Sequence, residues 1–135
     1  MLNISLNSII GAIIKFIILL CLAELILTVV GLGFALLTSV GEKAIVDETV
    51  ELPHDGSKTY GFPPGMVWIK ITPDEPIDET WSSLSGHSEG HGLTGGREGI
   101  GGISWGLCTI SNPNESNATV HIRITTGYLN PFAYL

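Results

Sequence analysis

The sequence predicts a long N-terminal α-helix followed by an all-β antiparallel sandwich. Apolar residues run almost without interruption from position 4 to position 40, and no proline occurs before Pro53. Beyond them, short segments of alternating apolar and polar residues are separated by turns rich in Pro, Gly, Asn and Asp, which is typical of antiparallel sheets. The chain is therefore expected to consist of a hydrophobic helical arm (1–41), a β-sandwich (42–128) and an apolar aromatic tail (129–135).

The charges divide the chain at the same place. Residues 1–41 hold one cation and one anion, whereas residues 42–135 hold five Lys or Arg against twelve Asp or Glu. The second part thus carries the whole net charge of −7. Because an acidic domain repels phosphate backbones, we expect no nucleic acid among its partners.

The arm is long enough to cross a membrane and continue beyond it. A helix through residues 4–40 would be about 55 Å long, whereas a bilayer core needs about 20 residues, or about 30 Å. A cleaved signal peptide is disfavoured, because it would have a basic start and a short apolar core, and the arm's only cation stands at position 15. A membrane anchor and an arm that packs with other helices, in a membrane complex or a filament core, are the alternatives.

One anion and one cation bear on that choice. A carboxylate inside an apolar span is costly unless it is paired or faces a polar interior. Lys15 lies nine residues from Glu24, and at about 100° per residue the two occupy opposite faces of one helix. Two helices offset by about 13 Å would pair them; otherwise Lys15 snorkels to the interface and Glu24 is protonated or faces water. Gly31 and Ala35, four residues apart, would permit close helix contact.

The orientation of the chain rests on few charges and on two sequons. Lys15 on one side of the arm and the acidic residues between 42 and 51 on the other favour a cytoplasmic N-terminus. Asn114-Glu-Ser and Asn117-Ala-Thr are N-glycosylation sequons, which fit an exported domain. We therefore expect a membrane-anchored or cell-surface assembly with its N-terminus in the cytoplasm or in the core and its C-terminal domain extracytoplasmic. Cys21 and Cys108 are too far apart in this layout for a disulfide bond.

Within the acidic domain the alternation predicts six strands. It places Val67, Ile69 and Ile71 on one face of their strand, and it turns Val120, Ile122 and Ile124 inward in another. Eight of the seventeen residues from 86 to 102 are glycine, which predicts a loop there. The predicted strands are 44–52, 58–62, 66–72, 77–84, 103–111 and 118–126.

Little in the domain indicates chemistry. His87, Glu89 and His91 are the candidate metal ligands, since two imidazoles and a carboxylate lie within five residues; a surface loop without a metal is the alternative. The acidic residues from 74 to 79 surround two prolines, which is more typical of a solvated turn than of a catalytic pair. Cys108 lies within a strand and is expected in the core. We therefore predict no catalytic residues, no cofactor and no enzyme activity.

The tail carries two Tyr, one Phe, two Leu and no charged side chain between positions 127 and 135. A segment this apolar is expected to be covered. It would fold back over its own sandwich, rest at a membrane interface, where Tyr is favoured, or dock on a neighbour.

Two segments resemble known β-sandwich modules. In residues 102–124 an aromatic-bearing strand runs into Asn112-Pro113-Asn114 and then into alternating Val and Ile, and residues 64–78 look like a central strand. Both resemble the Golgi-dynamics domain and the pre-peptidase C-terminal domains of bacteria and archaea. That resemblance implies a non-catalytic interaction module. The layout of an apolar N-terminal helix followed by a small sandwich is similar to that of archaeal type IV pilins.

Taken together, these features predict a structural subunit. Its helix would pack with copies of itself or with other membrane subunits in a pilus-like filament, a virion envelope or a membrane complex, with a lipid bilayer as a further partner. Its sandwich would form the exposed surface. The alternative is an accessory single-span subunit of a membrane-bound enzyme complex, in which the sandwich caps the catalytic partner on the outer face.

Overall fold

The computed structural model describes residues 5–135, so positions 1–4 of the predicted arm lie outside the described residues. The helix α1 runs over Leu6–Thr38. Ser5 caps its start, since the Ser5 Oγ accepts a hydrogen bond of 3.3 Å from the Ser8 N–H. Two compact units divide the chain: one ends at Phe34, and the other, Ala35–Leu135, contains the last turn of α1 together with all the strands.

Eight strands follow α1, and they confirm the predicted fold class of a helix and an all-β antiparallel sandwich. A short 3₁₀-helix, Pro131–Tyr134, ends the chain. The strands are β1 (Lys43–Leu52), β2 (Ser57–Phe62), β3 (Gly65–Pro73), β4 (Ile77–Ser83), β5 (Gly86–Leu93), β6 (Gly96–Gly102), β7 (Gly106–Ser111) and β8 (Ala118–Thr126).

The strands form two four-stranded sheets in the orders β1-β8-β3-β6 and β2-β7-β4-β5. Every pairing is antiparallel. Most consecutive strands lie in different sheets, so the chain crosses repeatedly from one sheet to the other around the core. This strand order is that of a jelly roll. The inner faces of the two sheets supply the core between them.

The predicted alternation is confirmed in the core. Val67, Ile69 and Ile71 of β3 point inward and are buried, as are Val120, Ile122 and Ile124 of β8. Cys108 is fully buried in β7, as expected. The pattern succeeds here because β3 and β8 lie side by side in the centre of one sheet, where one face must be apolar.

The prediction of a loop between residues 86 and 102 is wrong, because this segment forms the strands β5 and β6, which lie in different sheets. β5 pairs with β4 and β6 pairs with β3, so neither strand takes its backbone hydrogen bonds from the other. Close packing favours glycine at position 99, because a Cβ there would stand 3.3 Å from the Nε1 of Trp68. The predicted strand at 103–111 accordingly begins only at Gly106.

The sandwich has two different ends. At one end lie the turns 53–56, 74–76, 94–95 and 112–117, which we call the distal turns. At the other end β2, β3 and β4 reach the pairs Phe62↔Gly106, Gly65↔Gly102 and Ser83↔Gly86. The connections here, which we call the basal loops, are 39–42, 63–64, 84–85, 103–105 and 127–135.

The chain enters the sandwich through Thr38, at the end that carries the basal loops. Thr38 is fully buried. Its Oγ1 accepts a 3.0 Å hydrogen bond from the Met66 N–H, and its carbonyl accepts one of 2.7 Å from the Gly127 N–H. Asn130, also fully buried, donates to the Pro64 carbonyl at 2.9 Å. The tail is therefore anchored to its own sandwich through Asn130, but its large apolar side chains are not covered as expected, since Tyr128, Leu129, Tyr134 and Leu135 are all more than half exposed.

We expect Thr38→Val to lower the free energy of unfolding by about 1–3 kcal/mol, because the isosteric side chain leaves the buried Met66 N–H without its acceptor. Thr49→Val is the matched control, since Thr49 is exposed and bonds only the His121 ring at 3.0 Å; its effect should stay within about 0.5 kcal/mol. Urea unfolding of the full chain in detergent, followed by Trp fluorescence, measures both. Equal losses in the two variants would contradict the role assigned to Thr38.

Candidate functional site

The surface of α1 is apolar on every side. Apart from Phe34, which is partly buried, its large aliphatic and aromatic side chains are exposed by 44% at Ile9 to 71% at Leu6. A helix that is hydrophobic all round belongs in a membrane or in the core of a larger assembly. By length and composition α1 could span a membrane.

The four predicted assembly residues all lie on α1. Lys15 and Glu24 are both exposed, and no ion pair joins them within the described residues. Apart from its chain neighbours and the backbone of its own helix, no atom of residues 5–135 lies within 4 Å of the position where a Cβ of Gly31 would stand. Ala35 is partly buried and belongs to the compact unit of the sandwich. Their role in helix contacts stays a prediction.

The predicted metal ligands share one face of β5, because they occupy alternate positions of the strand. The His87 Nε2 lies 3.3 Å and the His91 Nε2 3.9 Å from the Glu89 carboxylate, and the His91 Nδ1 lies 3.5 Å from Asp78. All three side chains are more than half exposed. No group of three His, Cys, Asp or Glu side chains within residues 5–135 is arranged to hold a metal ion. Metal binding here therefore stays a prediction that requires side-chain rearrangement.

The two sequon asparagines differ in their surroundings. The Asn114 Nδ2 donates to the Pro76 carbonyl at 2.6 Å and to the Asn112 Oδ1 at 2.8 Å. Asn117 is exposed, and its Nδ2 bonds only the Glu51 carboxylate, at 2.9 Å. Glycosylation of the folded domain would cost fewer contacts at Asn117 than at Asn114.

A polar cluster inside the sandwich escaped the sequence analysis. Glu79 of β4 is buried, and its Oε1 accepts a 3.6 Å hydrogen bond from the Cys108 thiol. Glu98 of β6 accepts a 3.0 Å bond from the Trp81 indole. Burial raises the pKa of Glu79, the Cys108 thiol lowers it and the charge of Glu98 raises it further. Burial also raises the pKa of Cys108, so the thiol is held protonated and unreactive.

The carboxylate of Glu48 in β1 has surroundings that shift its pKa in the opposite direction to that of Glu79. The Glu48 Oε1 accepts hydrogen bonds from the Lys58 ammonium at 2.7 Å and from the Tyr60 hydroxyl at 2.5 Å. These two bonds, that of Lys58 first, lower the pKa of Glu48. Burial and the bond to Glu48 raise the pKa of Tyr60. The environment of Glu48 therefore favours the ionised carboxylate, whereas the environment of Glu79 favours the protonated form.

We expect Glu79→Gln to raise the free energy of unfolding at pH 7. The folded state holds the Glu79 proton to a higher pH than the unfolded chain does, so this carboxyl destabilises the fold progressively as pH rises above its unfolded pKa, about 4.3. The gain in the variant should vanish below that pH. Unfolding measured from pH 4 to pH 8 tests this.

Glu48→Gln is the matched control of opposite sign. The folded pKa of Glu48 is lowered, so its stabilisation is present above the unfolded pKa and is lost as pH falls through the folded pKa. The variant should be less stable than the native chain at pH 7 and should approach it in acid. Parallel pH profiles for the two variants would contradict these assignments.

Three cations form a row on the outer face of the sheet β1-β8-β3-β6. Lys70 of β3 stands opposite Arg97 of β6 and Arg123 of β8 in the registers of its two neighbours. Like charges in directly opposite positions repel. The Arg97 Nη2 bonds Glu42 at 3.0 Å. The Arg123 Nε lies 3.9 Å from the Asp47 carboxylate and has no hydrogen-bond partner among residues 5–135.

These cations border a shallow cavity of about 170 Å³ that Trp68, Thr125 and the carboxylate-bearing Glu42 also line. Lys70 forms no ion pair within the part of the chain that the structure describes. The cavity can attract an oxyanion, which an acidic domain as a whole does not. From the sequence, the alternation only placed Lys70 and Arg123 on the outward faces of their strands. The strand register was needed to show that the two residues are neighbours.

We expect Lys70→Glu to stabilise the domain by about 0.2–1 kcal/mol at low ionic strength, because a repelling cation is replaced by a partner for both arginines. Lys58→Glu is the control: it removes the ion pair with Glu48, so it should destabilise the domain. Thermal unfolding at about 20 mM and at about 500 mM salt measures both, and the Lys70 effect should shrink at the higher salt. A loss of stability in Lys70→Glu would contradict the repulsion.

No protein-family model matches the chain, and no curated protein matches it. Among solved structures, a de novo designed double-stranded β-helix determined by solution NMR is similar over 58% of this chain and 97% of its own, at 11% sequence identity and a TM-score of 0.43. A likeness of this size carries no argument about function. The resemblances to Golgi-dynamics modules, pre-peptidase C-terminal domains and archaeal pilins therefore stay predictions.

Proposed function

We propose that the chain is a non-catalytic structural subunit of a multi-subunit assembly. Its helix α1 packs with neighbouring helices, in a pilus-like filament, a virion envelope or a membrane complex. Its β-sandwich forms the exposed surface. The observation that carries the proposal is the apolar surface of α1, which is uncovered on every side in the single chain.

The free energy gained by burying that surface favours contact between α1 and lipid or other helices. Apolar area removed from water contributes about 25 cal/mol per Å², and α1 leaves about half of each large side chain exposed. A lipid bilayer would cover this area. Lipid alone does not shelter the carboxylate of Glu24, which a neighbouring helix with a polar group would do.

The interior of the sandwich supports a structural role. Apolar side chains fill the space between the sheets, among them Phe62, Ile77, Ile110 and Ile122, each at most 2% exposed. The candidate ligands His87, Glu89 and His91 lie instead on the outer surface. The core thus supports a rigid exposed domain rather than an enclosed substrate site.

We expect Glu24→Ala to weaken association of α1 with its neighbours by about 1–2 kcal/mol, or about 5–30-fold in the dissociation constant, because a polar contact between helices is lost. Energy transfer between donor- and acceptor-labelled full chains in lipid vesicles, at a series of protein-to-lipid ratios, measures this. Leu22→Ala is the control, since it removes apolar area two positions away on a different face of α1.

The outcomes of the energy-transfer titration distinguish self-assembly of the chain from the alternatives. Concentration-dependent transfer that falls in Glu24→Ala and not in Leu22→Ala supports the proposal. Monomers at every ratio would contradict self-assembly. Purification from native membranes in fixed ratio with a polytopic catalytic protein, and without self-association, would favour the accessory-subunit alternative instead.

A further inference from the structure

The basal loops expose large apolar side chains. Leu84, Ile103 and Leu135 are each more than 80% exposed, and Trp105 and Tyr128 are more than half exposed. Isolated exposed side chains of this kind are normal, but a contiguous set at one end of a domain marks an interaction surface. The remaining exposed members of this end are Val40, Leu107, Leu129 and Tyr134.

This end of the sandwich has one charged side chain in its connections. The basal loops, 39–42, 63–64, 84–85, 103–105 and 127–135, contain Glu42 and no other Asp, Glu, Lys or Arg, and the Glu42 carboxylate pairs with the Arg97 guanidinium at 3.0 Å. The distal turns carry Asp55, Asp74, Glu75 and Glu115. The domain is therefore polarised, with its acidic end far from the point where the chain arrives from α1.

Hydrogen bonds between two basal loops hold their apolar side chains outward. The Leu84 N–H donates to the Ser104 Oγ at 3.0 Å, and the Ile103 N–H donates to the Ser85 Oγ at 3.2 Å. Each loop thus supplies an acceptor for one backbone N–H of the other. These two pairings lower the cost of placing the backbone beside Leu84 and Ile103 in a less polar medium.

The first cation above the base is placed as membrane-interface residues commonly are. The Lys43 Nζ lies 4.3 Å from the centre of the Tyr134 ring. Trp and Tyr concentrate at the headgroup level of bilayers, where their rings are apolar and their polar atoms stay hydrated. Lys side chains extend from the same level toward water or lipid phosphate.

We propose that the basal loops rest in the interfacial layer of the bilayer that α1 crosses. The inference deepens the proposed function, since it requires α1 in a membrane. A bilayer is the occupant that fits, because this largely apolar, aromatic surface, whose one carboxylate, Glu42, is paired with Arg97, lies at the end where the apolar helix joins the sandwich, and the acidic distal turns lie at the other end. The ligand chemistry is that of lipid glycerol and upper acyl chains.

This placement fixes the depth of the charges of α1. Along the helix axis Glu24 lies about 21 Å and Lys15 about 34 Å from Thr38. With the base at one interface and a hydrocarbon core of about 30 Å, Lys15 reaches the opposite interface and Glu24 lies within the hydrocarbon. One geometry thus accounts for both charges: Lys15 is solvated by headgroups, and Glu24 requires a polar neighbour.

Nitroxide depth measurement on the full chain in phosphatidylcholine vesicles tests the inference. Labels are attached at Ile103→Cys in a basal loop, at Thr94→Cys in a distal turn and at Leu20→Cys in α1, each in a Cys21→Ser background; Cys108 is buried. Collision with oxygen reports lipid, and collision with a water-soluble nickel chelate reports solvent. We expect lipid-like accessibility at 103, bulk-water accessibility at 94 and deep lipid at 20.

The outcomes separate this inference from the proposed function. Water-like accessibility at 20 overturns both, because α1 is then outside the bilayer. Lipid at 20 with bulk-water accessibility at 103 overturns only the placement of the base. Protection at 103 from both reagents, with spin–spin broadening between labels, would also overturn it, since the base would then contact a second copy.

Discussion

The apolar surface of α1 is the constraint on which the rest of the molecule depends. Water is a poor solvent for a helix with no polar face, and the proposed assembly would place α1 in lipid or among other helices. The sandwich, by contrast, has its own hydrophobic core. The chain therefore combines a domain that has its own core with a helix whose apolar surface is exposed.

The charge of the sandwich changes along its length, from distal turns with four carboxylates to basal loops with one, Glu42. The gradient matches the entry point of α1, because Thr38 joins the domain among the basal loops. This geometry also separates the assemblies proposed above. Copies whose bases share one membrane plane hold Glu24 at equal depth, whereas the offset of about 13 Å that pairs Lys15 with Glu24 needs neighbours staggered along the helix axis, as in a filament.

Two features depart from the rule that inner positions are apolar and opposed positions carry unlike charges. Glu79 lies in the core beside Cys108, and Lys70 stands between two arginines. Each opposes stability in its own way, by desolvation of a carboxylate and by repulsion of cations. Such departures occur more often at functional positions than in an idealised fold. They mark the two parts of the sandwich whose purpose is not explained by packing alone.

The sequence by itself determined the helix, the sandwich and the core positions of β3 and β8, because hydrophobic periodicity and turn residues act locally. It could not supply β5 and β6, since glycine-rich strands have no local preference and take their hydrogen bonds from β4 and β3, which are brought to them by the fold. Only the tertiary structure placed Glu79 beside Cys108, Lys70 between Arg97 and Arg123, and the apolar residues of five separate connections at one end. Strand register and the closure of the two sheets decide those neighbours, and neither is encoded in any single segment.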